Sequence, residues 1–250
     1  MGDPSFRLIS LRPVGGHGGL RRAAARADGE VVAVSPWRID ARDDADARAA
    51  LREAIACPLV VFTSPAAVQA AARLQSLPRV RGNQVFGVGE RTRRALQAAG
   101  IDHAQAPTRM DSEGLLALPA FASLKRGDAL GLVTAPGGRG EIARVLGARG
   151  VDIVRADVYA RVPVTLSAAT RQRLQRVLDD AAAPVFLALS SGGAFEAVLT
   201  QLPRAMLPAL RRVRVIAASD RLAGIARERG FNDIVIAASA RPGDMVAAIG

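Results

Sequence analysis

Small hydroxylated residues follow two apolar segments of the chain, where they could bind an anion. Leu59–Phe62 leads into Thr63-Ser64, and much further along the chain Val185–Leu189 leads into Ser190-Ser191-Gly192. A strand that ends in such a turn and continues as a helix presents backbone N–H groups and hydroxyls at the helix N-terminus, where carboxylates and phosphates bind. Capping of the helix by the same side chains is the simpler alternative.

Each copy contains a second turn of the same kind. Gly89 opens a predicted helix that ends at Gly100, and Ser219 opens one of the same length that ends at Gly230. A unit of strand, small-residue turn and helix therefore occurs twice. We predict two similar domains that bind one ligand between them.

Arginine supplies nearly all of the positive charge and suggests how an anion is held. The net charge is +11, from 34 basic and 23 acidic residues, and Lys125 is the single lysine. A guanidinium binds a carboxylate through two parallel hydrogen bonds, which an ammonium group cannot do. Arg12, Arg91 and Arg139 lie at predicted strand–helix turns, and we take them as candidate carboxylate ligands. A GC-rich genome would also favour arginine.

The distribution of other residues argues against several classes of protein. The arginines are scattered, with no basic tail, so nucleic-acid binding rests on net charge alone. The single cysteine, Cys57, excludes an internal disulfide, and His17 and His103 lie too far apart to suggest a metal site. No segment approaches the roughly 20 apolar residues of a membrane span, and no signal peptide is recognised. We expect a soluble, cytoplasmic protein that binds no metal, nucleic acid or membrane.

Strands and helices alternate along the chain, which predicts an α/β fold with parallel sheets. One long strand is predicted over Val151–Arg161. Two extended stretches, near 35–38 and 162–166, are predicted to be connectors, and the second contains Pro163. Two such crossings imply that one domain is inserted into the other. We predict a discontinuous outer α/β domain over 1–35 and 167–250 and an inserted α/β domain over 39–161.

A longer series of short motifs runs in order along the chain. They are Arg12-Pro13, Phe62–Val68, Gly87–Gly89, Ser112–Leu116, Gly137–Arg139, Val158–Arg161, Leu189–Ser191, and Ser219 with Gly230. Each motif alone has low specificity. The full ordered series resembles the uroporphyrinogen-III synthase family over essentially the whole chain.

The resemblance implies a fold and a reaction. The fold is two similar parallel-sheet α/β domains joined by a two-stranded connector. The substrate is hydroxymethylbilane, a linear tetrapyrrole polycarboxylate. The enzyme cyclises it to uroporphyrinogen III with inversion of the terminal pyrrole ring and loss of water, in tetrapyrrole (haem) biosynthesis. The family uses no metal or organic cofactor, so we expect none here, and we expect a monomer.

Candidate substrate-binding residues stand at the predicted turns and matched motifs. They are Arg12, Thr63, Ser64, Gly89, Arg91, Ser112, Gly138, Arg139, Ser190, Ser191, Gly192 and Ser219. Ser112 has a second interpretation, because either Ser112 or Asp111 would cap a helix that begins there.

Tyr159 is the candidate catalytic residue, since it is the only tyrosine and lies beside the second connector. We predict that its phenol hydrogen-bonds the departing hydroxyl of the substrate. A buried structural tyrosine is the alternative. At the level of function, the alternative is a non-catalytic two-lobe binding protein for an anionic small molecule. A sugar-phosphate isomerase is disfavoured, because no histidine or glutamate base is well placed near the serine turns.

Overall fold

The structure, a computed structural model, describes residues 3–77, 82–109, 111–137 and 140–250. The chain forms two compact units, one from Met1–Arg38 with Val162–Gly250 and the other from Ile39–Arg161. Across the described ranges, none of the helices combines the length and the apolar character that crossing a bilayer requires.

Strands and helices alternate through both units. In chain order the elements are β1 (Phe6–Ser10), α1 (Gly18–Ala25), β2 (Gly29–Ala33), β3 (Trp37–Ala41), α2 (Ala45–Ala56), β4 (Leu59–Phe62), α3 (Pro65–Leu74), β5 (Gln84–Gly87), α4 (Glu90–Ala98), α5 (Ser112–Leu116), α6 (Pro119–Ala122), β6 (Ala129–Thr134), α7 (Glu141–Ala148), β7 (Asp152–Asp157), β8 (Tyr159–Pro163), α8 (Ala168–Asp179), β9 (Val185–Leu189), α9 (Gly192–Leu199), a 3-10 turn (Arg204–Met206), α10 (Leu207–Arg211), β10 (Arg214–Ala217), α11 (Asp220–Glu228), β11 (Ile234–Ile236) and α12 (Pro242–Ala247).

The discontinuous unit contains a five-stranded parallel sheet with the order β11-β10-β9-β1-β2. Successive side chains of a strand point to opposite faces. Ile9 and Leu187 belong to the apolar cluster on one face, and Leu8 and Phe186 belong to the cluster on the other. Because both faces are buried, the strands are continuous apolar runs, as is usual for parallel sheets.

The continuous unit contains a four-stranded parallel sheet with the order β5-β4-β6-β7. Val60 and Phe62 lie in one buried cluster, and Leu59 and Val61 lie in the other. Parallel strands joined by helices therefore form the predicted α/β fold, with helices on both faces of the sheet.

The two sheets share one arrangement of neighbouring strands. In the discontinuous unit β10, β9, β1 and β2 lie side by side, and in the continuous unit β5, β4, β6 and β7 do so in the same sense. The strand that precedes each hydroxylated turn, β4 or β9, is central in both. The units are therefore circular permutations of one pattern, with β1 equivalent to β6 and β9 equivalent to β4.

The strand predicted over Val151–Arg161 is wrong, because the chain changes sheets within it. β7 pairs with β6, whereas β8 pairs with β3 in a separate two-stranded sheet. Val158 lies between them: its N–H donates to the Thr134 carbonyl at 3.0 Å, and its own carbonyl accepts from the Arg42 N–H at 2.9 Å. The residues on both sides of Val158 are extended, so the sequence pattern could not show where the pairing partner changes. The polar segment Trp37–Ala41, which begins in the predicted connector, is strand β3, and its pairing with β8 gives the two strands that the resemblance implied for the connector.

Close contact between α2 and β6 makes Gly131 essential to the continuous unit. A Cβ placed on Gly131 would lie 1.8 Å from the Ala54 carbonyl oxygen, so an alanine there must displace α2. We expect Gly131→Ala to lower the free energy of unfolding by about 3 kcal/mol, the cost of overpacking a core. The measurement is urea unfolding followed by far-UV circular dichroism.

Gly147→Ala is the matched control for this substitution. Gly147 lies near the end of α7, and a Cβ there meets nothing within 4 Å. Alanine favours a helix over glycine by about 1 kcal/mol, so this variant should be as stable as the parent or slightly more so. Equal unfolding midpoints for the two variants would show that α2 does not constrain β6.

Candidate functional site

The turns that follow β4 and β9 are built alike, with a serine as the N-cap of the next helix. Ser64 Oγ accepts a hydrogen bond from the Ala67 N–H at 3.1 Å at the start of α3. Ser191 Oγ accepts from the Ala194 N–H at 3.3 Å at the start of α9. Each cap satisfies one of the N–H groups that a helix start leaves without an intrahelical partner. An anion bound at either turn would contact the same short segment of backbone that the serine caps.

The residues beside these caps have different surroundings. Thr63 donates through Oγ1 to Thr134 Oγ1 at 2.9 Å, which joins the end of β4 to the end of β6. Ser190 and Gly192 are partly exposed on either side of Ser191. Gly192 is the first residue of α9, where its backbone N–H belongs to the helix terminus.

Gly89 and Ser219 occupy the equivalent N-cap positions of α4 and α11. Both have extended backbone, and neither supplies a side-chain cap. Arg91 and Arg221 are each the second residue of the following helix and are exposed. A Cβ placed on Gly192 would lie 3.9 Å from Nη1 of Arg221, so this guanidinium reaches the start of α9. Arg221 was not among the substrate-binding residues predicted from the sequence. It could have been found there, because it follows Ser219 by two residues as Arg91 follows Gly89.

Glu90 modifies the charge of the turn after β5. Hydrogen bonds from Arg93, at 2.7 Å, and from Arg94, at 2.8 Å, lower the pKa of Glu90 to about 2. The carboxyl group is thus ionised at neutral pH and cannot donate a proton there. Arg93 and Arg94, two of the three arginines of α4, thus pair with this carboxylate.

Tyr159 meets Ser64 at the same turn. Its hydroxyl lies 3.2 Å from Ser64 Oγ, and either oxygen can donate. The residue is only 3% exposed and belongs to the buried cluster that includes Phe62. The ring is therefore fixed by packing, and the hydroxyl lies at a turn selected independently from the sequence. Two of the predicted residues are brought together here.

Ser112 occupies the first position of α5 rather than its cap. Asp111 is the N-cap, and its carboxylate accepts from the Gly114 N–H at 2.7 Å. Arg109 donates to the same carboxylate at 2.8 Å. Of the two caps allowed by the sequence, the structure uses Asp111, and a substrate contact of Ser112 stays a prediction.

Gly138 and Arg139 lie outside the described residues. The flanking Gly137 and Gly140 have φ angles of +71° and +59°, a left-handed conformation that favours glycine. α7 begins directly after Gly140, at Glu141.

Arg12 lies in the loop between β1 and α1, where its Nη2 donates to the Ala240 carbonyl at 3.2 Å. The same loop holds His17, which sequence reasoning did not select. His17 is 4% exposed, and its Nδ1 and Nε2 lie 2.9 Å from Ser10 Oγ and 2.8 Å from Ser35 Oγ. A lone histidine in a glycine-rich loop gave no sign of these two partners.

Burial is the main reason that His17 is neutral. Loss of hydration, followed by the positive charges of Arg21 and Arg12, lowers the pKa of His17 to about 4. A neutral imidazole has one donor and one acceptor nitrogen. Each serine hydroxyl can take the complementary role, so both hydrogen bonds form with either tautomer.

Comparison with known proteins identifies the family. A family model described as uroporphyrinogen-III synthase HemD matches residues 19–247. A crystal structure of a mutant uroporphyrinogen III synthase from the extremely thermophilic bacterium Thermus thermophilus is similar, with a TM-score of 0.61 and 17% identity over 98% of this chain and 97% of that one. The crystal structure of uroporphyrinogen-III synthetase from Helicobacter pylori has a TM-score of 0.59 and 14% identity over 97% of both chains.

These structural similarities confirm the predicted α/β fold, and the family match confirms the resemblance found in the motifs. The match also favours an enzyme of haem biosynthesis over a non-catalytic binding protein. The chain belongs to the uroporphyrinogen-III synthase family.

Proposed function

We propose that the chain is a hydro-lyase that cyclises hydroxymethylbilane to uroporphyrinogen III, with Tyr159 as its catalytic residue. The observation that carries the assignment of Tyr159 is the 3.2 Å contact between its hydroxyl and Ser64 Oγ. It brings a phenol to a strand–helix turn whose residue types suit a carboxylate of the substrate.

The reaction begins when the carbon–oxygen bond of the hydroxymethyl group breaks. The electron-rich pyrrole supplies the electron pair, the oxygen leaves as water after gaining a proton, and an azafulvene cation is formed. The Tyr159 hydroxyl donates a hydrogen bond to the departing oxygen and eases this step. Because the substrate ionises readily, a strong acid is not needed.

Ring closure then depends on which carbon of the last pyrrole attacks. Attack through its already substituted carbon forms a carbon–carbon bond and gives a spiro intermediate. The bond between the spiro carbon and the carbon that linked it to the preceding ring then breaks and re-forms at the free α-carbon on the other side of the pyrrole nitrogen, which inverts the ring, and loss of a proton from that α-carbon restores the aromatic pyrrole. The enzyme must hold the linear tetrapyrrole folded so that this substituted carbon lies nearer to the azafulvene than the unsubstituted carbon does. This is catalysis by positioning.

Carboxylate binding at several turns can supply that positioning. Helix starts after β4, β5, β9 and β10 offer backbone N–H groups, and the predicted residues Thr63, Gly89, Ser190 and Ser219 lie there. Arg91 is exposed beside one of these turns, and a guanidinium binds carboxylates in a fixed geometry. Since many contacts share the work, single substitutions among them should reduce activity only in part.

Family membership also leads us to propose a monomer that acts in the cytoplasm on this small molecule and binds no nucleic acid. The net charge of +11 then has a direct role. A positive field raises the local concentration of a polycarboxylate and speeds its binding.

The isomer composition of the product tests the proposed activity. Purified protein is incubated with enzymatically generated hydroxymethylbilane, and the oxidised porphyrins are separated by isomer. We expect uroporphyrin III in excess of the type I isomer that forms spontaneously. If only type I product forms, at the uncatalysed rate, the synthase assignment is wrong and the protein is instead a non-catalytic binding protein for an anionic small molecule.

Tyr159→Phe removes the hydroxyl and keeps the buried ring. We expect kcat to fall about 10- to 100-fold, at or below the lower end of the range for general acid catalysis because the substrate ionises readily, with KM nearly unchanged. Formation of type III isomer under saturating substrate is the measurement. Ser64→Ala is the comparison variant, because it removes the same Tyr159–Ser64 hydrogen bond, together with the α3 cap, and keeps the phenol. Equal losses in the two variants would mean that Tyr159 acts only through that hydrogen bond.

Ser191→Ala and Ser167→Ala form a matched pair of cap substitutions. Ser167 caps α8 as Ser191 caps α9, with its Oγ 3.1 Å from the Thr170 N–H, but it belongs to no predicted binding turn. Each variant should lose about 1 kcal/mol of stability. Only Ser191→Ala should raise KM, about fivefold for one lost hydrogen bond. A KM raised equally by both substitutions would assign the effect to stability.

A further inference from the structure

His17 is a buried, hydrogen-bonded group for which the proposed chemistry has no use. It is the N-cap residue of α1, yet its side chain makes no capping hydrogen bond. Both ring nitrogens instead point to serine hydroxyls, at 2.9 Å to Ser10 and at 2.8 Å to Ser35. A polar side chain that is 4% exposed and satisfied at both nitrogens restricts the position of everything attached to it.

The bond to Ser10 closes the loop that carries Arg12. Ser10 is the last residue of β1 and is fully buried, and His17 directly precedes α1. The intervening loop turns through Gly15, whose φ is +78°, and the Gly16 N–H donates to the Pro13 carbonyl at 2.8 Å. Arg12 is therefore held in a short loop whose two ends are tied to each other.

The bond to Ser35 ties this loop to the segment that leads into β3. Two backbone hydrogen bonds run beside it: the Val34 N–H donates to the Ser10 carbonyl at 2.9 Å, and the Val14 N–H donates to the Trp37 carbonyl at 3.0 Å. The imidazole adds a side-chain link between the two segments. All of these residues belong to the discontinuous unit.

We propose that His17 is a positioning residue, whose imidazole bridges Ser10 and Ser35 and so fixes the loop that presents Arg12 to a substrate carboxylate. This inference rests on the proposed function, because it takes Arg12 as a carboxylate ligand. His17 itself touches no substrate. Arg21 and Arg12 are the charged groups that act on the imidazole. Because the imidazole that bridges the two serines is neutral, it adds no further positive charge to the loop.

Two substitutions at His17 separate hydrogen bonding from packing. Glutamine has an amide that both donates and accepts, whereas leucine fills a similar volume without polar atoms. We expect His17→Leu to raise KM for hydroxymethylbilane about fivefold with kcat nearly unchanged, and His17→Gln to stay within about twofold of the parent. Ser35→Ala removes one bridge from an otherwise unchanged loop and should raise KM about threefold. It supplies the test if His17→Leu does not fold.

Coupling to Arg12 distinguishes positioning from a general loss of structure. In an Arg12→Gln background, the change at His17 or Ser35 should no longer raise KM, because both act through the same guanidinium. His103→Gln is the control, since His103 is exposed and its loss should leave KM and the melting temperature unchanged.

Several results would overturn the proposal. One is an unchanged KM in His17→Leu and Ser35→Ala together with a lower melting temperature, which would make the bridge purely structural. A second is the same rise in KM with and without Arg12. A third is an unchanged KM in Arg12→Gln while type III isomer is still formed. That result would show that Arg12 does not bind a substrate carboxylate, although the protein is still a synthase. Formation of type I isomer alone by the parent protein would instead remove the proposed function itself.

Discussion

Because every strand of a parallel sheet runs in the same direction, the turns that follow the strands open at one edge of that sheet. Helices cover both faces of the sheets in each unit, so the apolar strands are enclosed. The helix starts at that edge retain N–H groups that the helix itself cannot satisfy. Thr63-Ser64 and Ser190–Gly192 are the residues that the fold places there. The position of the candidate site therefore follows from strand direction before any side chain is considered.

Circular permutation explains why the repeat in the sequence is only partial. β4-α3 and β5-α4 correspond to β9-α9 and β10-α11, and these pairs occur in the same order in both units. The remaining pair is β1-α1 in the discontinuous unit and β6-α7 in the continuous unit. β1-α1 precedes the shared pairs along the chain, whereas β6-α7 follows them. Arg12 and Gly137 thus occupy equivalent loops. Their relation becomes visible only when strand neighbours are compared.

The sequence was most informative where local chemistry alone decides the structure. β4 and β9 have the same bounds as the apolar segments Leu59–Phe62 and Val185–Leu189 in the sequence. It was least informative where the choice of partner matters: Val158 is extended on both sides, and only pairing with β6 or β3 separates β7 from β8. His17 was missed for the same reason, since Ser10 and Ser35 lie in different segments. At α5 two caps were chemically equivalent, and the structure uses Asp111, whose carboxylate also accepts from Arg109.

Tyr159 shows how a site of this kind can gain precision without a reactive group. It is the first residue of β8, so its backbone enters the two-stranded sheet while its ring remains in the buried cluster that includes Phe62. The packing of the ring and the change of strand partner both limit where the hydroxyl lies. A reaction whose outcome depends on which carbon attacks needs such fixed positions more than it needs a strong acid or base. In this fold the groups proposed to position the substrate, including the Ser64 cap, also hold the structure together.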